Sequence, residues 1–261
     1  MIINPYLVQP SGPSYGTLTT AWIAATGETD LTILGALNTL ESDMATYGLT
    51  AKMKALYPMV GGTAAKHKFN FMDARDLDAA YRLVFNGGWS HTSTGATPNG
   101  VNGWANTKYN PNVSGSLNNE HLSYYSRTNS NGTEVEIGAQ SGPTSLLEIR
   151  TSGTTYSIIN SSVYLTYSDA NSLGFYKANR TASNVTNAWK NGTKLVASSN
   201  ASSSLVNNEI YLGAFNNGGS ISFYSTKQCA LASIGLGLSD SEAANFYTAV
   251  QAFNTTLSRQ V

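Results

Sequence analysis

The fold is decided by the stretch HLSYYSRTNSNGTEVEIGAQSGPTSLLEIRT, which spans residues 121–151. Apolar and polar side chains largely alternate in it, which is the period of a β-strand, and Asn, Ser and Gly separate the runs. The pattern predicts strands over residues 121–127, 133–138 and 145–151, with a hairpin turn at residues 129–132. This region is therefore expected to be β structure with short connections.

The same period of two extends in both directions, from about Gly62 to Gly235. It predicts six more strands, over residues 80–85, 162–167, 173–178, 209–215, 220–225 and 230–235, and hairpin turns at residues 191–192 and 216–219. Nine short, closely spaced strands indicate a sandwich or jelly roll. The Gly- and Asn-rich stretch between residues 87 and 119 is longer than an ordinary loop, which is typical of a segment that binds a ligand or has irregular structure of its own.

Both ends of the chain have the period of a helix instead. Apolar residues at three- and four-residue steps predict a helix over residues 30–45, and shorter helices are predicted over residues 18–25 and 50–57. Near the C-terminus, the sequence Ser239-Asp-Ser-Glu242 has the spacing of a capping box. An amphipathic helix is therefore expected over residues 240–257, packed on the sandwich.

Composition excludes several classes of function. The chain of 261 residues has 15 Lys plus Arg and 15 Asp plus Glu, and charged residues make up only 11%. That balance lacks the surplus of basic residues that nucleic-acid binding requires, and 10% aromatic residues argue against disorder. In place of charge the chain has 31 Ser, 28 Thr and 26 Asn, which favour turns and strands.

The cysteine count and the apolar runs bear on disulfide formation, export and membrane insertion. Cys229 is the one cysteine, so no internal disulfide forms, and its apolar neighbours favour a buried thiol over a reactive one. The first residues lack the basic and apolar regions of a signal peptide. Because no run of about 18 apolar residues predicts a membrane span, we expect a soluble chain.

Three segments carry a resemblance to a known group of proteins. They are MKALYPMVGGTAAKHKFN at residues 53–70, DLDAAYRLVFNGGWSH at 76–91 and LASIGLGLSDSEAANFYTAVQ at 231–251. Through them the chain resembles a group of structural proteins of tailed bacteriophages, over about Leu31 to Val261. That group has a concanavalin A-like, laminin G-like jelly roll, which occurs in phage fibres, decoration proteins and tail proteins.

The resemblance implies a non-enzymatic virion structural protein, such as a capsid-attached fibre, decoration or tail component, assembled in the cytoplasm of the bacterial host. Its expected partners are other virion proteins and further copies of itself, as a dimer or trimer. No cofactor, nucleic acid or membrane insertion is expected. The group has no shared catalytic or metal motif, so the resemblance assigns no site residues.

The predicted organisation has two parts. Residues 1–60 form an extended arm and short helices, and residues 61–261 form the concanavalin A-like sandwich with its C-terminal helix. The spacing of Pro5, Pro10 and Pro13 suits an extended arm that docks to the rest of the particle.

Glu134 and Glu136 are the nearest candidates for catalysis. Residues two apart on a strand point to the same face, about 6.6 Å apart, which is compatible with a pair of carboxylates that hydrolyses a glycosidic bond. The simpler interpretation explains the pattern equally well: Val135 and Ile137 point inward, and both carboxylates face water.

Other catalytic and metal sites have weaker signals. His67, His91 and His121 lack the paired spacing of a metal site, so structural or surface roles are favoured. Asp and Glu residues are too dispersed for an ordinary calcium site, which leaves only a site built from Asn, Asp and backbone carbonyls. No nucleophile elbow and no phosphate-binding loop is present.

A glycan-binding adhesin or receptor-binding module on the same fold is the alternative function. Trp89, Trp104 and Tyr109 lie in the long Asn- and Gly-rich stretch, where flat rings and amide groups suit a sugar. The competing interpretation is that at least one of these tryptophans anchors the stretch to the sandwich, because ordering a free loop of that length is costly.

Overall fold

The computed structural model describes residues 14–261, and the predicted mostly β, jelly-roll-type sandwich with N-terminal helices and a C-terminal helix is confirmed. The predictions for the N-terminus, namely no signal peptide and an extended proline-spaced arm, fall on residues 1–13 and lie outside the described residues.

The helices are α1 (Thr17–Thr26), α2 (Leu31–Thr46), α3 (Ala64–His67), α4 (Pro111–Ser114) and α5 (Asp240–Thr256). Three of the predicted helices are present as α1, α2 and α5, and two short helices, α3 and α4, were not predicted. The side chain of Asp30 caps α2, and the capping box predicted at Ser239 and Glu242 is formed at the start of α5. No helix within residues 14–261 is long and apolar enough to cross a membrane.

The strands are divided between two sheets. They are β1 (Met53–Tyr57), β2 (Val84–Asn86), β3 (Trp89–Thr92), β4 (Gly95–Pro98), β5 (Trp104–Asn106), β6 (Glu120–Ser126), β7 (Ile137–Gln140), β8 (Thr144–Thr151), β9 (Thr154–Ser161), β10 (Leu165–Ser168), β11 (Gly174–Ala182), β12 (Val185–Lys190), β13 (Thr193–Ser198), β14 (Tyr211–Leu212), β15 (Phe215–Asn217), β16 (Ser220–Ser222) and β17 (Cys229–Gly235).

The first sheet has the order β13-β12-β11-β6-β17-β4-β3, and β1 also pairs with β17. The second sheet has the order β10-β9-β8-β7-β14-β5-β2; β15 also pairs with β7, and β16 pairs with β15. All pairings are antiparallel apart from the short contact of β15 with β7. The chain therefore crosses repeatedly between the two layers, as in a jelly roll.

Two apolar cores hold the layers together. One lies between the sheets and includes Leu122 and Ile234 from the first sheet with Leu147 and Leu212 from the second. The other lies between the first sheet and helices α1, α2 and α5; its helical members are Trp22, Ala36, Leu37, Leu40, Met44, Ala243, Phe246, Ala249, Val250 and Phe253. The molecule therefore has three layers, in the order helices, first sheet, second sheet.

The helix predicted over residues 50–57 is wrong. Only Thr50–Lys52 makes a short 3-10 turn, and β1 follows it and pairs with β17. In β1, Ala55 and Tyr57 face the core between the sheets, whereas Met53 and Leu56 pack towards the helices. A segment that is buried on both faces lacks the alternation of a half-exposed strand, which is why its period was misleading.

Several strand predictions were also displaced or divided. The strand predicted over 80–85 is reduced to β2, and Gly213, whose φ is +80°, divides the strand predicted over 209–215 into β14 and β15. The turn at residues 129–132 is not a hairpin, because β6 and β7 lie in different sheets. The hairpin turns at Asn191-Gly192 and at residues 216–219 are confirmed.

Candidate functional site

The outer face of the second sheet is the candidate ligand-binding surface. Ala105 and Leu212 point into the core between the sheets. Because side chains alternate along a strand, Trp104 on β5 and Tyr211 on β14 point to the opposite, outer face. Both side chains are half-buried, so part of each ring is exposed to solvent.

Trp104 and Tyr211 form a single aromatic platform. Their ring centroids are 4.3 Å apart and the ring planes are inclined by 33°. On the far side of Tyr211 the paired residue is Gly138 of β7. A Cβ atom there would lie 2.4 Å from the Cβ of Leu146, so the position has to be glycine and no side chain rises beside the Tyr211 ring.

Polar groups surround this platform. Asn106, opposite Tyr211 in the ladder, donates a side-chain hydrogen bond to the carboxylate of Glu209. Asn216 donates from Nδ2 to the Glu209 carbonyl oxygen over 2.8 Å. Burial raises the pKa of Tyr211, and the nearby Glu209 charge raises it further. The arrangement combines flat apolar rings with amide and carboxylate groups, which suits a polyhydroxylated ligand.

Trp89 has an anchoring role instead. Its indole N–H lies 3.1 Å from the carbonyl oxygen of Asn86 and 3.2 Å from that of Trp104, and points to both. Its ring is so close to Gly213 that a Cβ atom at that glycine would lie 2.8 Å from it. Trp89 therefore fastens the long stretch onto the sandwich, and the interpretation that one tryptophan does so is confirmed.

Tyr109 lies in the core rather than on the surface. It is 1% exposed, and its hydroxyl donates to Oε1 of Glu120 over 2.8 Å. A ring buried between the sheets cannot stack on a ligand, so Tyr109 does not belong to the candidate surface. Of the three predicted aromatic residues, only Trp104 lies on that surface.

The carboxylates of Glu134 and Glu136 do not both face water, which corrects the simpler interpretation of this pair. Glu136 is completely buried, and Glu134 is largely buried. Both bind the ammonium group of the fully buried Lys227, at 3.0 Å from Glu134 Oε2 and 3.1 Å from Glu136 Oε1. The sequence gives no signal for this partner, because Lys227 lies about 90 residues away.

The two carboxyl groups of this cluster have pKa shifts in opposite directions, and the pKa of Lys227 is raised. Burial raises the pKa of Glu136 to about 7, against the attraction of Lys227. Burial acts on Glu134 in the same direction, but the hydrogen bonds from Thr226 and the charge of Lys227 outweigh it and lower its pKa. Desolvation disfavours the charged Lys227, yet the two carboxylates raise its pKa. Of the two carboxyl groups, Glu136 is thus the one that more readily holds a proton.

Two of the histidines lie together although they are distant in sequence. Nδ1 of His67 is 3.0 Å from Nδ1 of His91, whereas His121 is bound separately to the Leu236 carbonyl and the Ser233 hydroxyl. Burial lowers the pKa of His67 and of His121 to about 3. Across residues 14–261, no three His, Cys, Asp or Glu side chains are grouped closely enough to hold a metal ion.

Cys229 is buried in β17, as its apolar neighbours predict. Burial raises the pKa of its thiol, which disfavours the reactive thiolate.

The fold defines the class of protein, a jelly-roll-type β-sandwich covered by helices on one side. No protein-family model matches the chain, and no curated protein sequence matches it. Among solved structures it is similar to a Trypanosoma rangeli sialidase mutant displaying trans-sialidase activity, with a TM-score of 0.54 and 10% identity over 84% of this chain and 39% of the sialidase. This chain therefore spans about two-fifths of the sialidase structure.

Two further structures show the range of the similarity. The same sialidase with 2,3-difluorosialic acid has a TM-score of 0.52, with 10% identity over 82% of this chain and 38% of that chain. Domain 4 of AbnA, a GH43 arabinanase from Geobacillus stearothermophilus, has a TM-score of 0.43 and 14% identity over 75% of this chain and 98% of the domain. At such identities the sialidase similarity is one of fold, and one fold has many functions.

Proposed function

We propose that this chain is a non-enzymatic structural component of a tailed-phage virion, a fibre, decoration or tail protein that acts by binding. The observation that carries the proposal is the sequence resemblance over residues 31–261, and the β-sandwich fold is consistent with it. The virion is then its site of action, and other virion proteins and copies of itself are its partners.

The state of the carboxylate pair supports a non-enzymatic role. A glycosidase needs one carboxyl group to donate a proton and the other to act as nucleophile or base, both in contact with the sugar. Here Lys227 binds both carboxylates, and Glu136 has no exposed surface. A substrate in this arrangement would have no access to Glu136.

Particle analysis tests the virion assignment. Phage particles purified from cells that express this gene with the rest of its genome should contain the chain in a fixed ratio to the major capsid protein, as quantified by mass spectrometry. The purified chain alone should be a stable dimer or trimer by light scattering. A chain found only in the soluble fraction, and monomeric on its own, would contradict the proposal.

A second candidate function is glycan binding, and the Trp104–Tyr211 platform favours it. On a glycan array the wild-type chain should bind a defined sugar, and Trp104→Ala should weaken binding by about two- to twelvefold, because stacking of an aromatic ring contributes about 0.5–1.5 kcal/mol beyond area burial. The carbonyl oxygen of Trp104, which binds Trp89, is kept in this variant.

Tyr164→Ala is the matched control for glycan binding. Tyr164 is another exposed aromatic residue; it packs against Tyr156 of β9, at the opposite end of the second sheet from Trp104. This variant should bind as the wild type does. Equal binding by Trp104→Ala and the wild type, or no binding to any glycan by the wild type, would eliminate the glycan hypothesis and leave the assembly role unaffected.

A further inference from the structure

The cluster of Glu134, Glu136 and Lys227 differs from the other ion pairs of the described residues in its enclosure. Lys227 and Glu136 are both 0% exposed, and Glu134 is 12% exposed. Most of the remaining ion pairs lie at the surface. The most buried of them, Lys190 with Asp169, joins one amine to one carboxylate, and its lysine is 15% exposed.

Hydrogen bonds hold the side chain of Glu136 and the main chain of Lys227 in place. The Oε2 atom of Glu136 accepts from the Ile149 N–H at 2.6 Å, and its Oε1 atom accepts from the Ser225 hydroxyl at 3.1 Å. The main chain of Lys227 is held by the Tyr124 hydroxyl at 2.7 Å and by Ser225 Oγ at 3.0 Å. The Nζ atom of Lys227 is therefore held against the Glu136 carboxyl group in one geometry.

The charges of the cluster do not balance when all three groups are ionised. One ammonium between two carboxylates leaves a net charge of −1 away from water, which is costly. One added proton makes the cluster neutral, and Glu136, whose pKa is raised by burial, binds it more readily than Glu134, whose pKa is lowered. The resting cluster then contains a carboxylic acid, an amine in its protonated form and a carboxylate that can accept a proton.

From this geometry we propose that Lys227 and Glu136 condense into an intramolecular amide bond, with Glu134 as the group that takes up the released proton. Lys227 first transfers a proton to Glu134, against the pKa order of the two groups, so this transfer is the slow step. The free amine then attacks Cδ of protonated Glu136, while Ser225 and the Ile149 amide donate hydrogen bonds to the carboxyl oxygens. The N–Cδ bond forms, the C–O bond breaks, and the hydroxyl group leaves as water with a proton from the amine nitrogen.

The step needs no oxidant and no co-reactant. Three protons on Lys227 and one on Glu136 become one amide proton, two protons in water and one proton on Glu134, which is the most exposed of the three groups and can release it to solvent. Fixed positioning of this kind supplies effective concentrations of about 10⁵–10⁸ M in intramolecular reactions. The exclusion of water from the site then protects the amide from hydrolysis.

The bond would join the two sheets covalently. Glu136 immediately precedes β7 of the second sheet, and Lys227 lies two residues before β17 of the first. A cross-link across so long a loop restricts the unfolded chain as a disulfide does. The amide would thus provide a covalent cross-link in a chain whose single cysteine cannot form an internal disulfide.

Mass spectrometry of the denatured wild-type protein tests the proposal directly. The intact mass should be lower than the sequence mass by one water, and digestion should yield a branched peptide joining the segments that contain Glu136 and Lys227. Lys227→Arg keeps the positive charge but has no primary amine that can form the amide, so this variant should show its full sequence mass.

Two further variants make the test specific. Lys190→Arg alters the other enclosed ion pair and should still lose one water at Lys227. Glu134→Gln cannot accept the proton and should keep its full mass; loss of water in this variant would overturn the role of Glu134. A wild-type protein with its full sequence mass, or a loss of water located at any other residue, would overturn the proposal without requiring any variant to fold.

Discussion

Burial of the Glu120 carboxyl group makes the stability of this protein depend on pH. Glu120 is 1% exposed and accepts hydrogen bonds from the Tyr109 hydroxyl and the Asn160 amide, both at 2.8 Å. Burial raises its pKa to about 7, although both hydrogen bonds act in the opposite direction. Between its usual value of 4.5 and about 7, the folded protein holds a proton that the unfolded chain has lost. The contribution of Glu120 to stability is therefore fully present below pH 4.5 and is lost as the pH rises to about 7.

We predict that Glu120→Gln removes this part of the pH dependence. The shift from 4.5 to about 7 corresponds to about 3 kcal/mol, so the free energy of unfolding of the variant relative to wild type should rise by up to that amount between pH 4.5 and pH 7 and then stay constant. Urea unfolding at a series of pH values measures it. The amide also changes the hydrogen bonds to Tyr109 and Asn160, so the slope is the diagnostic quantity, and parallel curves would contradict the prediction.

At the scale of one residue, sequence reasoning found Trp104 and missed Tyr211. Trp104 was a candidate because its flat ring lies in an Asn- and Gly-rich stretch, a criterion that Trp89 and Tyr109 also meet although one anchors the stretch and the other is buried. Tyr211 had a signal that was not used: Ile210 and Leu212 are apolar, so a strand would expose the tyrosine between them. Tyr109 has the same local sequence character as Trp104, and only the contact with Glu120 distinguishes the two.

At the scale of elements, α5 covers the first sheet with a continuous apolar face. Phe246 is completely buried, with its ring 5.3 Å from that of Phe175 and 6.1 Å from that of His121. Those two residues come from β11 and β6, so the helix contacts adjacent strands of the sheet. The amphipathic period predicted this packing, since Ala243, Phe246, Val250 and Phe253, which recur at three- and four-residue steps, enter the core.

We predict that Phe246→Ala lowers the free energy of unfolding by about 3–5 kcal/mol, because a large side chain is removed from a close-packed core. Denaturant unfolding measures the change. Thr248→Ala on the exposed side of the same helix is the control and should change stability by less than about 0.5 kcal/mol. A loss below about 1 kcal/mol for Phe246→Ala would show that α5 is peripheral to the core.

Elements with one clear hydrophobic period were predictable from the sequence. Elements whose burial depends on partners distant in sequence were not. Helices α2 and α5 each have one apolar stripe and recognisable caps. Strand β1 is buried on both faces, so its sequence pattern resembles that of a short helix. Only its pairing with β17 identifies it as a strand. Glu134 and Glu136 alternate like exposed residues, but a lysine from a distant segment binds both of them in a buried cluster. No local pattern contains such a pairing, so these two predictions failed for the same physical reason.

At the scale of the whole molecule, β1 from the N-terminal part of the described residues and segments near the C-terminus meet on the first sheet. β17 lies between β6 and β1. The buried guanidinium group of Arg259, two residues from the C-terminus, donates to the carbonyl oxygens of Pro58 and Met59, at 2.6 and 2.8 Å, and of Ala230 at 2.9 Å. Residues before position 60 thus supply a strand, two helices and hydrogen-bond acceptors to the same core.

This arrangement makes a prediction about the division of the chain at residue 60. A protein of residues 61–261 lacks β1 and α2, so one side of β17 and the apolar faces of the first sheet and α5 become exposed, and the Arg259 guanidinium loses two of its acceptors. We expect this fragment to show no cooperative unfolding transition, because buried polar groups without partners and exposed apolar surface both disfavour the folded state. Circular dichroism during urea titration measures it. Deletion of residues 1–13 alone is the control and should keep the transition, since every described element is retained. A cooperative transition of residues 61–261 at the midpoint of the full chain would show instead that the sandwich folds independently of the N-terminal segment.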